Sequence, residues 1–182
     1  MKITKTNIDG LIVIEPEVFL DDRGSFFESW NLNNFQEIGI EENFVQDNQS
    51  LSSKGVLRGL HFQNPPFAQS KLVRVIKGSV LDVAVDIRSN SPTYGLHYSV
   101  ILSEKNFKSF FIPKGFAHGF IALEDNTIFL YKCSEFYNKD SEGSLAWDDE
   151  NLSIDWQIDN PIISNKDSNA QYFKDFKSKF ND

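Results

Sequence analysis

Cysteine is nearly absent from this chain. Of 182 residues only Cys133 carries a thiol, which excludes an internal disulfide framework and any thiolate metal cage. Histidine is scarce as well: His61, His97 and His118 are the whole supply and leave little room for a histidine-built metal site. Long apolar runs are missing. The N-terminal stretch MKITKTNIDGLIVIEPE holds only the run Leu11 to Ile14 before Glu15 and Pro16. A secretory core needs roughly 7–15 apolar residues and a spanning helix about 20, so the expectation is a cytoplasmic protein without membrane attachment. Basic residues are outnumbered, 18 Lys and Arg against 26 Asp and Glu, for a formal net charge of −8. That balance argues against nucleic acid or an anionic membrane as partner, since both need a basic face to displace counterions. A small anion held by a few local cations remains open.

What is present reads as one folded domain over residues 1–182. Hydrophobic residues make up 40% and charged residues 24%, which excludes a disordered chain, and 17 phenylalanines predict an aromatic-rich interior. Short β-prone runs separated by turn residues dominate: KLVRVIKG (71–78), SVLDVAVDIR (79–88), HYSVILS (97–103) and TIFLYKCS (127–134). Their spacing suits an antiparallel sandwich or barrel rather than alternating strands and helices. In VLDVAVDI, Leu81, Val83, Val85 and Ile87 face one way and Asp82, Ala84 and Asp86 the other. The polar face meets either solvent or a barrel interior that holds a site. Helices are scarce. NLNNFQEI (31–38) predicts one short helix, and the spacing of Ala170, Phe173, Phe176 and Phe180 predicts an amphipathic helix at the C-terminus, with Lys174, Asp175 and Lys179 on its other faces.

Two histidine segments carry the chemistry. Gly55-Val56-Leu57-Arg58-Gly59-Leu60-His61-Phe62-Gln63 sets a histidine six residues after a glycine, and Pro113-Lys114-Gly115-Phe116-Ala117-His118 gives Pro-x-Gly-x-x-His. Together they resemble the two halves of the cupin signature, which implies an all-β fold, a double-sheet jelly roll with a few short peripheral helices. Metal cupins supply His-x-His, a glutamate and a last histidine. Here Gln63 stands at the second histidine, and Phe67 and Ala68 stand where the glutamate would fall. Two of four ligands are missing, so no metal and no metal-dependent oxygenase is expected. His61 alone reads as a hydrogen-bonded core histidine. Its neighbourhood changes that, because Arg58, His61 and Lys71 fall close together on two β-prone runs. Burying unpaired cations costs several kcal/mol, so the three are expected to face a shared anionic or carbonyl-bearing ligand.

The wider pattern DDRGSFFESW (21–30), RGLHFQ…KLVRV…DVAVDIR…SPT, PKGFAHGF (113–120), YKCSEFYNKDSEG (131–143) and ISNKD (163–167) resembles the dTDP-4-dehydrorhamnose 3,5-epimerase family of cupin-fold deoxysugar epimerases. The resemblance runs in order over most of the chain. It implies a nucleotide-linked 4-keto-6-deoxy sugar as substrate, whose C4 ketone acidifies the hydrogens at C3 and C5. Each centre then inverts by deprotonation to an enolate and reprotonation from the other face. This calls for a base, an opposing acid and a donor at the ketone oxygen, and no cofactor.

By this resemblance His61 is the base, and imidazole, with an unperturbed pKa of about 6.5, is largely neutral at pH 7. Asp167 is the carboxylate that orients it, Tyr131 the opposing acid and Lys71 the support for the enolate oxygen. Arg58 matches a diphosphate-binding arginine, a task for its planar fork. Gln46, Asp47 and Asn48 match a segment contacting base and sugar, Tyr137 an aromatic stacked on thymine, and His118, Glu142 and Lys166 further substrate contacts. Arg23, Phe26 and Glu28 match a segment that reaches into the partner's site, implying a homodimer with exchanged N-terminal strands. Without the resemblance, Asp22-Arg23-Gly24 is only a turn, Tyr131 core filler and Lys71 a solvent-facing strand residue. Relatives that invert C3 alone or C5 alone would share these residues. A 3,4-ketoisomerase would carry a His-x-His pair where this chain has His61-Phe62-Gln63, and a non-catalytic sugar-binding cupin would have no use for both a base and an acid.

Overall fold

The alternation in the strongest runs does produce strands. A computed structural model describes residues 1–181, and its strands form two facing antiparallel sheets. One sheet has the order β1 (Lys2–Lys5), β2 (Ile12–Glu15), β10 (Ser109–Ile112), β7 (Lys71–Lys77), β12 (Thr127–Cys133) and β5 (Gln46–Ser52). The other has β13 (Glu142–Ser144), β6 (Leu57–Gln63), β11 (Phe116–Ala122), β8 (Ser79–Asp86) and β9 (His97–Ser103). A separate hairpin, β3 (Phe19–Asp21) with β4 (Gly24–Phe26), stands apart from both. This is the double-sheet jelly roll expected from the histidine segments.

Side-chain parity assigns each strand two roles. Between the sheets lie Val73, Val75, Val80, Ala84, Phe110, Phe120 and Phe129. Phe110 and Phe129 are fully buried there, each contributing about 1.5–3 kcal/mol relative to exposure. Leu81, Val83, Val85 and Ile87 face the opposite side of β8, under a cover that includes Leu145, Leu152, Trp156 and Phe180. The polar face of VLDVAVDI therefore meets the barrel interior and not solvent, with Asp82 and Asp86 both at 0% exposure. The outer face of the six-stranded sheet is covered by helix α1 (Leu32–Glu37), through Phe35 packed with Ile12, Ile14, Leu72 and Phe111. Asn31 caps that helix, its side-chain oxygen accepting from the N–H groups of Asn33 and Asn34 at 3.0 and 3.3 Å.

The expected C-terminal helix does not form. Residues 168–180 run as coil with two 3-10 turns, Asp167–Asn169 and Phe173–Asp175. Their backbone groups pair sideways instead: Ala146 N–H donates to Gln171 O at 2.8 Å, Ser89 N–H donates to Phe180 O at 2.8 Å, and Phe173 N–H donates to the Asp149 carboxylate. Phe173, Phe176 and Phe180 still reach the apolar cover over β8, because a roughly three-residue spacing serves a 3-10 turn or an extended coil as well as a helix.

Candidate active site

A regular strand would turn Arg58 and His61, three residues apart, to opposite faces. Both line one cavity because β6 carries a bulge: Arg58 pairs with Phe120 and His61 with His118, so three steps on β6 match two on β11. Gly59 makes this possible. Its φ is +145°, and an added Cβ would lie 2.5 Å from Gly119 Cα. Only glycine tolerates that conformation and that approach.

The fold then brings His61 to a carboxylate 106 residues away. His61 Nε2 lies 2.6 Å from Asp167 Oδ1. A carboxylate only accepts, which assigns the proton to Nε2 and leaves a lone pair on Nδ1. Asp167 is 3% exposed. Burial alone would raise its carboxyl, but hydrogen bonds from His61, the Gly59 backbone and Ser164 outweigh it and hold the group below the usual carboxylate range. The segment that carries it is tied down by Leu57 N–H donating to Ile162 O at 2.9 Å and by Asp167 N–H donating to Ser164 Oγ at 3.1 Å.

The opposite wall comes from the facing sheet. Lys71 of β7, Tyr131 of β12 and Asn48 of β5 line the same cavity of about 530 Å³ as His61, His118 and Arg58, with Phe120 and Phe129 in its apolar lining. Lys71 Nζ donates to His61 O at 3.4 Å, and burial pulls its ammonium below the usual lysine range against Cys133, Asp82 and Glu142. Burial pushes the Tyr131 phenol up, with Cys133 adding to the rise, so it keeps its proton. A second lobe of about 340 Å³ shares Asn48, His61, Lys71 and Tyr131 and extends to Gln46, Tyr137 and Glu142. Tyr137 Oη donates to Glu142 Oε2 at 3.2 Å, and Glu142 is ion-paired with Lys166 beside Asp167.

Gln63, the departure from His-x-His, has a structural role. Its amide donates to Phe67 O at 2.7 Å and to Phe136 O at 3.2 Å, and accepts from Asn138 N–H at 2.7 Å, bracing the loop that carries Tyr137. Among the described residues no group of three or more His, Cys, Asp or Glu side chains could hold a metal ion.

Four expected site residues are not in this cavity. Asp47 faces outward by strand parity and pairs with Lys132 at 3.0 Å. Arg23 sits on the β3–β4 hairpin, where its Nε donates to Asp21 Oδ2 at 3.0 Å, and Phe26 beside it is 73% exposed. Glu28 accepts from the Asn31 and Asn34 amides at the start of α1. Conversely, Asp82 was not expected at the site, yet it holds His118. The inward parity of Asp82 in VLDVAVDI was the available signal.

Fold and site together define a class: an acid–base enzyme on a double-sheet barrel, with a histidine–carboxylate pair, a protonated phenol and a buried ammonium around one cavity. The family described as dTDP-4-dehydrorhamnose 3,5-epimerase matches residues 5–175. A protein of that description from Methanothermobacter thermautotrophicus is 54% identical over 171 residues, covering 92% of each chain. The crystal structure of the Elizabethkingia anophelis dTDP-4-dehydrorhamnose 3,5-epimerase is 52% identical with a TM-score of 0.92, over 96% of this chain and 97% of that one. The Legionella pneumophila dTDP-6-deoxy-D-glucose-3,5-epimerase, solved with dTDP-4-keto-L-rhamnose, is 47% identical with a TM-score of 0.93, over 97% and 94%. This chain belongs to the dTDP-4-dehydrorhamnose 3,5-epimerase family, and it is an isomerase of the epimerase class.

Proposed function

We propose that this chain inverts both C3 and C5 of dTDP-4-keto-6-deoxy-D-glucose to give dTDP-4-keto-L-rhamnose. The observation that carries the reading is the pairing of His61 with Asp167 on one wall of a cavity whose facing sheet presents Tyr131 and Lys71. His61 removes the proton α to the ketone and becomes an imidazolium held by Asp167. The electron pair moves onto the C4 oxygen, where Lys71 stabilises the enolate. Tyr131 then returns a proton to the other face of the same carbon. Exchange with water resets both groups before the second centre reacts. Acid–base catalysis of this kind contributes about 10²–10⁴-fold, and a donor at the enolate oxygen about 10²–10³-fold.

For binding, Arg58 takes the diphosphate, Tyr137 with Gln46 and Asn48 the base and its sugar, and Glu142 and Lys166 the mouth. Arg23, Phe26 and Glu28 serve the partner's site in a homodimer with exchanged N-terminal strands, a role supported by the exposed hairpin, where Phe19, Leu20 and Phe26 are all solvent-facing. The enzyme is a cytoplasmic one, acting on nucleotide-activated sugar. Turnover of dTDP-4-keto-6-deoxyglucose in deuterium oxide tests the reaction: deuterium at both C3 and C5 is expected. Deuterium at C3 alone would reduce the reading to a 3-epimerase, and a 3-keto product would replace it with an isomerase that moves the carbonyl.

A further inference from the structure

A second carboxylate–imidazole pair stands at the cavity wall, with His118 lining the cavity and Asp82 buried behind it. His118 Nε2 lies 3.0 Å from both oxygens of Asp82, and the two residues are 6% and 0% exposed. The β8–β11 register sets them diagonally on one inward face, with His118 opposite Ala84 and Asp82 opposite Phe120. The directly paired residue on β6 is His61. Because a carboxylate only accepts, the proton of His118 sits on Nε2. Nδ1 has no hydrogen-bond partner among the described residues, and Ser50 Oγ is the one buried side-chain polar atom without a partner, so Nδ1 keeps accessible surface toward the cavity that His118 lines. Burial drives His118 toward its neutral form, opposed by Asp82 and reinforced by the Lys71 ammonium.

We propose that Asp82 is a positioning residue that fixes His118 as a hydrogen-bond acceptor for the C2 hydroxyl of the sugar. This rests on the epimerase reading. In a 4-keto-6-deoxy sugar C1 carries the diphosphate, C4 the carbonyl and C6 no hydroxyl, while the C3 hydroxyl changes face on inversion. The C2 hydroxyl is the donor that keeps its place through both inversions. A neutral Nδ1 suits that donor and cannot donate to the ketone oxygen, so His118 stays out of the proton transfers.

With only three histidines in the chain, long-range ¹⁵N ring correlations separate each ring. The expected spectrum at pH 7 has His118 protonated at Nε2 and bare at Nδ1; a doubly protonated or Nδ1-protonated ring overturns the proposal. Asp82→Asn offers an amide that can donate as well as accept. It is expected to shift His118 to a tautomer mixture and raise KM about tenfold with kcat within about threefold. The substrate lacking its C2 hydroxyl is expected to carry a similar KM penalty with the wild type and little further penalty with Asp82→Asn. Unchanged KM with a lowered kcat, or penalties that multiply, overturns the assignment. Should the variant not fold, equal wild-type KM values for the two substrates overturn it alone. Absence of wild-type turnover would count against the epimerase reading, while the ring spectrum still decides the tautomer.

Discussion

Gly59→Ala should damage catalysis without touching any group that meets substrate. The new methyl would lie 2.5 Å from Gly119 Cα and 3.1 Å from His118 O, both backbone atoms of the adjoining strand that cannot swing aside. Restoring ordinary contact requires β6 and β11 to part by about 1 Å, since van der Waals contact begins at 3.4 Å. The φ of +145° adds strain of order 1–3 kcal/mol for a residue with a side chain. Arg58 and His61 flank this bulge, so the displacement is transmitted to His61, the proposed base. A misplacement of about 1 Å costs on the order of 100-fold in rate. We therefore expect turnover to fall about 100-fold and the urea midpoint, followed by the fluorescence of the three tryptophans, to drop by roughly 0.5–1.5 M. Gly39→Ala is the control. Its φ of +86° is also strained for alanine, but nothing lies within 4 Å of the added Cβ, so stability should fall while turnover stays normal. Gly59→Ala turnover within threefold of wild type would refute the bulge argument.

His61→Asn should abolish turnover, by at least about 10³-fold, while titration with dTDP still reports binding; near-normal turnover would remove His61 as the base. Tyr131→Phe should lower net epimerisation more than solvent proton exchange at the first centre, read by deuterium incorporation, and equal losses would count against an opposite-face acid. Acid should weaken the fold in two stages. His118 titrates below 6.5 when folded, so as pH falls under 6.5 the unfolded chain takes up the proton first and stability declines. The folded Asp167 pKa is also lowered, so its stabilisation is complete above 3.8 and is lost as pH falls through the lower folded value. Urea midpoints across pH 3–8 check both, with Asp167→Asn expected to flatten the lower stage; a midpoint that rises on acidification would contradict the sign.

How much of this could be read from the residues depended on whether one strand or several carried the information. The period-two alternation of Leu81, Val83, Val85 and Ile87 is local, and it located β8 and set Asp82 and Asp86 on its other face, while whether that face met solvent or the barrel interior stayed open. The outward turn of Asp47 was equally legible from parity, had parity been applied to β5. Arg58 and His61 share a face only through a bulge, which strict alternation cannot foresee, although an isolated glycine in a strand run is its usual mark. The meeting of His61 with Asp167 depends on a loop returning across the sheet, so only the family resemblance anticipated it. The C-terminal segment failed for a different reason. Its apolar spacing was real, but Ser89, Ala146 and Asp149 supply its backbone with lateral partners, so the phenylalanines are buried without a helix.

His61, the proposed base, and its neighbour His118 stand on β6 and β11, strands flanked on both sides by others within the five-stranded sheet. Arg23 stands on a two-stranded hairpin that pairs only with itself. Amide hydrogens around His61 should thus exchange slowly, through openings close to global unfolding, while those of residues 19–26 depend on the proposed partner subunit for protection and exchange through local fraying once the dimer is diluted apart. On the proposed role of Arg23 in the partner's site, dilution or mild denaturant then erodes capture of the nucleotide before it touches the proton chemistry, and KM climbs over a range in which kcat holds steady.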